Sequence, residues 1–129
     1  MATAFDEEVI QLLASLEEVE IETRAGPDAP EHRTTIWVVV DGDAAYVRSV
    51  RGARGRWYRE ATAYPEAVLY AGARKLPVHI EPVSDAAIIA RVSDAFLRKY
   101  VQWPNDARAI VRDEVLTTTL RLHPAEASS

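Results

Sequence analysis

Phe5, Val9, Leu12, Leu13 and Leu16 recur on one face at helical spacing and predict a first helix over about 4–17. Thr3 followed by Asp6 reads as a capping-box-like start, and acids in the first turn suit the helix dipole. Val19, Ile21 and Thr23 then alternate with charged residues, the mark of a half-exposed strand. Gly26, Pro27 and Pro30 punctuate a loop. Arg33 to Val40 carries β-formers on both faces and predicts a central strand; Asp41-Gly42 turns it back into a return strand, Ala44 to Ser49. After an arginine-rich loop, Trp57 to Ala63 reads as a short helix stopped near Pro65. Ala67–Ala71 and Lys75–Glu81 form a second hairpin about Gly72, with Leu76, Val78 and Ile80 on one face. Pro77 predicts an edge or an irregular point there. Ile89, Val92, Phe96 and Tyr100 mark a long helix over Asp85–Tyr100, ended by Trp103-Pro104. A weaker helix over Asp106–Val115, a last strand over Thr117–Leu122 and a fraying tail over 124–129 follow.

Six strands, two tight hairpins and helices that do not alternate with them predict an α+β fold with a mostly antiparallel sheet. A single domain over 1–129 is expected, with the small sheet closing toward a barrel.

Charge changes this picture at one place. The chain carries 20 acids against 15 lysines and arginines, a net charge of −5. Nine of the acids lie in the first 31 residues, whereas Ala44–Arg59 holds five arginines and no acid. That cluster is too short, and the pI of about 5.2 too low, for a nucleic-acid face. No cysteine is present, and the three histidines (His32, His79, His123) are scattered, so no metal site is expected. No apolar run reaches the ~18–20 residues of a membrane helix, and the start lacks the regions of a signal peptide. The expectation is a cytoplasmic protein.

The candidate chemistry sits in Arg48-Ser49-Val50-Arg51-Gly52-Ala53-Arg54-Gly55-Arg56-Trp57-Tyr58-Arg59. Glycines that permit close approach, a helix start, arginines and a hydroxyl together suit a phosphate or carboxylate. The other reading is an exposed turn whose arginines answer the acidic first helix. Trp37, Trp57 and Tyr58 suit either a stacked flat ring or the core. His79 is the weak candidate for a general base. Thr117, Thr118 and Thr119 read as β-formers. No catalytic residue is assigned.

The stretches TTIWVVVDGDAAYVRSVRGARGRWYREA and AVLYAGARKLPVHIEPV, with the closing TLRLHP, resemble a bacterial family of unknown function. That family looks like a compact relative of the deazaflavin-dependent nitroreductases, within the FMN-binding split-barrel group that includes pyridoxamine phosphate oxidase. The resemblance implies a six-stranded split barrel, a homodimer, and FMN or a deazaflavin near the interface. It implies a flavin-type oxidoreductase passing a hydride to a small organic acceptor. By matching position, Arg33, Thr35 and Trp37 come from the strand before the turn, Arg48, Ser49, Arg51 and Gly52 hold phosphate, and Trp57 and Tyr58 close the pocket. Arg59-Glu60-Ala61 stands where the nitroreductases usually have an Asn, and their glycine-containing loop is shortened here. These departures keep a second reading open, a cofactor-free binding protein that holds an anionic metabolite or partner on the arginine loop.

Overall fold

The computed structural model describes residues 4–125. Asp6 caps α1 (Glu7–Ser15) by accepting from the Val9 N–H at 3.1 Å. The expected helix is thus shorter at both ends, and Thr3 lies outside the described residues. The strands are β1 (Val19–Thr23), β2 (His32–Ile36), β3 (Val39–Asp41), β4 (Ala44–Val47), β5 (Glu66–Ala71), β6 (Arg74–Pro82) and β7 (Leu120–Pro124). Between them lie α2 (Arg56–Ala63), α3 (Ala86–Lys99), α4 (Pro104–Val111) and the four-residue α5 (Asp113–Leu116).

All seven strands form one antiparallel, curled half-barrel sheet in the order β2-β1-β5-β6-β7-β4-β3. The fold class is as expected and the count of six is corrected to seven. The run expected as one central strand is two. It follows β1 as far as Ile36, leaves that ladder at Trp37-Val38, and joins β4 from Val39. Its two halves are therefore the two edges of the sheet. Both faces are apolar because there are two cores. Ile36 and Val38 enter an inner one with Val9 and Leu13 of α1, Ile21, Leu69, Val78 and Trp57. Val39 enters an outer one, where α3 and α4 lay Val92, Phe96 and Ile110 over Ala44 and Tyr46; Trp37 packs against it. Burying a side chain such as Phe96 contributes about 1.5–3 kcal/mol.

Three other expectations change. β6 is not an edge: it pairs with β5 and β7, and Pro77 falls where β7 runs out, its carbonyl accepting from the Ala125 N–H at 3.0 Å. The helix expected over 106–115 starts earlier, at Pro104, and breaks at Arg112 into α4 and α5. Thr117–Thr119 precede β7 rather than open it. Both hairpin turns need positive φ, supplied by Gly42 (+65°) and Gly72 (+59°). Pro124 lies in β7; 126–129 lie outside the described residues.

The switch from β2 to β3 is pinned by the end of α3. Trp37 stacks on Tyr100 with ring centroids 3.6 Å apart and planes within 1°. The Tyr100 hydroxyl donates to the carbonyls of Glu17 (2.8 Å) and Val38 (3.3 Å). Lys99 Nζ donates to Val38 O at 2.6 Å and Leu13 O at 2.9 Å. No carboxylate among the described residues pairs with this ammonium, and burial lowers its pKa from 10.5 to about 8. The unfolded chain keeps that proton to higher pH than the folded one. Stability is therefore expected to rise between about pH 8 and pH 10, where the unfolded state binds more protons. Lys99→Met should flatten that rise in urea melts taken across this range.

Candidate functional site

β4 delivers the chain to Arg48, and Arg48 does not point outward. It is 2% exposed, and four of its N–H groups are donated inside the protein. Nε reaches Thr119 Oγ1 at 2.8 Å, Nη1 reaches Ser93 Oγ at 2.8 Å and Ile110 O at 3.2 Å, and Nη2 reaches Ile89 O at 2.8 Å. All four acceptors are neutral. Burial without a carboxylate lowers the guanidinium pKa to about 10. Arg48 thus ties β4 to α3, α4 and the approach to β7, and leaves a positive charge inside one wall of a cleft.

The next residues fold back on themselves. The Ser49 N–H donates to Thr118 Oγ1 at 3.0 Å, and its hydroxyl donates to Gly52 O at 2.8 Å. Gly52 takes φ +71° to receive that bond and opens a short 3-10 turn, Gly52–Arg54. A methyl on Gly55 would meet Ser49 Oγ at 2.6 Å, so the loop closes only around a glycine. Gly55 then caps α2 with no side chain, and the first turn of that helix stands open at the cleft wall.

The cleft has a volume of about 840 Å³. It brings together Arg33, Thr35 and Trp37 from β2 and its exit, Arg48, Ser49 and Arg51 from the loop, and Trp57 from α2. Gly52 and Tyr58 are not on its wall: Gly52 is buried behind the loop, and the Tyr58 hydroxyl approaches Thr117 O at 3.5 Å. Arg33 is already engaged. It lies 3.7 Å over the Tyr70 ring and bonds Glu22 at 3.4 Å and Glu20 at 3.5 Å.

Among the described residues, Arg51, Arg54, Arg56 and Arg59 form no ion pair, so the loop does not answer the acids of α1; Glu8 pairs instead with Arg74. Arg51 and Arg56 line the cleft beside the open first turn of α2. This is its basic end. The other end runs past Trp37 to Glu17, Glu18, Trp103 and Asp106, which sequence reading did not single out. The signal in the sequence was Trp103 directly ahead of the helix-starting Pro104, with Asp106 in that helix's first turn; the structure leaves Trp103 37% exposed.

None of the three histidines lines the cleft. His79 is exposed and bonded to Glu66 at 2.6 Å, and His123 is bonded to Glu81 at 2.7 Å. His32 meets Glu60, a buried acid that sequence reading named only as a departure. Its signal was its place at i+3 from Trp57, on the buried side of α2. Asp113 and Glu114 lie on α5, and no group of three potential metal ligands forms among the described residues.

Solved structures share this fold at low sequence identity. HutZ, a heme storage protein from Vibrio cholerae, matches with a TM-score of 0.65 and 9% identity over 98% of this chain and 93% of that one. A candidate pyridoxamine 5′-phosphate oxidase from Listeria innocua matches at 0.61 and 11%, over 95% and 93%. The F420-H2 dependent reductase FDR-A matches at 0.62 and 12%, over 82% and 93%. At such identities the likeness is one of fold. No curated protein matches the sequence. A family profile matches residues 9–122, nearly the whole described chain, and the protein therefore belongs to the bacterial family DUF2255, described as an uncharacterized protein conserved in bacteria.

Proposed function

We propose that the cleft binds a flavin-type cofactor, FMN or a deazaflavin such as F420, and that the protein is an oxidoreductase acting on a small organic acceptor. One observation carries this reading: Arg51 and Arg56, both without an ionic partner among the described residues, stand beside the uncapped first turn of α2 and next to Trp57. The residues present fit a flat ring with an anionic tail. Two guanidinium forks and open backbone N–H groups suit phosphate, and indoles suit the ring. The cofactor would supply hydride chemistry. The chain's own part is to hold the tail at Arg51 and Arg56, orient the ring against Trp57 and Trp37, and keep water from its buried face. Arg48 and Ser49, expected to hold phosphate, serve here as the frame of the loop, and Arg48 adds its buried charge from behind. Heme fits less well, because among the described residues the cleft offers no His, Cys, Met or Tyr as an axial ligand.

The second reading, a non-redox protein holding an anionic metabolite, draws on the same internal engagement of Arg48 and Ser49. It leaves fewer groups for a cofactor tail than the resemblance implied. We take the chain as one domain in a homodimer, with Leu97, in the last turn of α3, and Val101, just beyond it, both exposed, as part of the contact. Among the described residues no helix is long and apolar enough to cross a membrane.

The test is the visible spectrum of the purified protein followed by titration with FMN and with F420, read by ring fluorescence. Saturable binding of either supports the cofactor reading. Protection from thermal unfolding by pyrophosphate, with neither ring bound, supports the second.

A further inference from the structure

Trp57, Glu60 and Ala61 occupy the buried side of α2, and Glu60 is a carboxylate in an otherwise apolar place. A buried acid needs partners for both oxygens. Thr23, at the end of β1, donates its hydroxyl to Oε1 at 2.9 Å, and His32, at the start of β2, meets Oε2 through Nδ1 at 2.9 Å. Thr23 and His32 face each other in the β1–β2 ladder. Glu60 therefore grips both strands at one rung.

One turn before Glu60, α2 places Arg56 and Trp57 on one wall of the cleft. The residues following His32 place Arg33, Thr35 and Trp37 on another. Among the described residues β2 is an edge strand, paired only with β1, and no strand on its other side holds it against α2. We propose that Glu60 is a positioning residue that sets the spacing of these two walls, and through it the fit of a ligand in the cleft. The part of this concerning the ligand rests on the cofactor reading above.

The experiment compares wild type, Glu60→Ala and Glu60→Gln as full chains, by hydrogen exchange and by FMN titration. Gln keeps the shape and can rebuild both bonds by pairing its amide N–H with one partner and its carbonyl with the other. In Glu60→Ala, exchange over His32–Ile36 and Arg56–Ala63 is expected to rise at least tenfold with β5 and β6 unchanged. FMN affinity should fall about tenfold, and Glu60→Gln should recover most of both. Unchanged local exchange, or a rise spread evenly over the sheet, overturns the proposal. So does a local rise in a protein whose FMN affinity stays at the wild-type value. If Glu60→Ala fails to fold, Glu60→Gln is judged alone: exchange in the two segments close to wild type, with affinity kept, supports the role, and a global rise overturns it. A wild type that binds no FMN overturns the cofactor reading instead. Exchange then still decides whether Glu60 fixes the walls.

Discussion

Arg48→Ala is expected to destabilise the protein by about 2–5 kcal/mol, a large part of the ~5–15 kcal/mol that holds a typical domain together. The side chain is almost fully enclosed and donates to two hydroxyls and two helix carbonyls, on α3, α4 and the approach to β7. Truncation leaves a cavity where the guanidinium lay and removes the donor from four acceptors, of which the bonds to Thr119 and Ile110 are buried. Arg48→Lys keeps a charge but cannot reach acceptors in four directions from one ammonium, and should cost roughly half as much. Urea unfolding of the three proteins measures this. If Arg48→Ala unfolds at the wild-type midpoint, the internal hydrogen bonds do not hold the frame. Loss of ligand binding in this variant would report unfolding, so it is the wrong substitution with which to find an anion site.

The right one is the pair Arg51→Ala with Arg56→Ala. Both side chains are exposed and neither has an ionic partner within the described residues, so stability should move by no more than about 0.5 kcal/mol. A charge-assisted hydrogen bond contributes about 1.5–3 kcal/mol. Losing one from each arginine, partly offset by water, should weaken FMN binding about 100-fold, or roughly 2.7 kcal/mol. The measurement is the dissociation constant of the double variant at fixed salt, with riboflavin as a control that lacks the phosphate. Riboflavin should bind both proteins alike. Equal loss for riboflavin would place the arginines on the ring instead of the tail.

Local features of the fold were legible because they follow from neighbouring residues. Asp41-Gly42 and Gly72 mark their hairpins through backbone freedom that few other residues have. The stripe from Ile89 to Tyr100 marks α3 through its period. What was not legible depends on contacts between distant parts of the chain. Arg33–Val40 looked like one central strand because both its faces are apolar; only the two cores, one on each side of the sheet, explain that pattern in a pair of edges. Thr118 and Thr119 looked like β-formers, whereas their hydroxyls accept from Ser49 and Arg48, some 70 residues away. The arginine cluster was visible as charge. Its division into Arg48, turned inward, and Arg51 and Arg56, left at the cleft, depends on whether α3 and α4 cover a side chain, which composition does not encode. Trp103 and Asp106 reach the cleft by the same packing of α4.

β7 is the last strand in chain order, yet it lies inside the sheet, between β6 and β4. Until it arrives, the strands are two separate blocks, β2-β1-β5-β6 and β4-β3, connected by covalent chain but by no ladder. Without it, β6 and β4 are open sheet edges in addition to β2 and β3. Thr118 and Thr119, which receive the Ser49 N–H and Arg48 Nε, come just ahead of that strand, while the other acceptors of Arg48 lie on α3 and α4. Closing the sheet and completing the hydrogen bonds of Arg48 and Ser49 are then coupled, and their high sequence separation makes that step slow relative to the two hairpins.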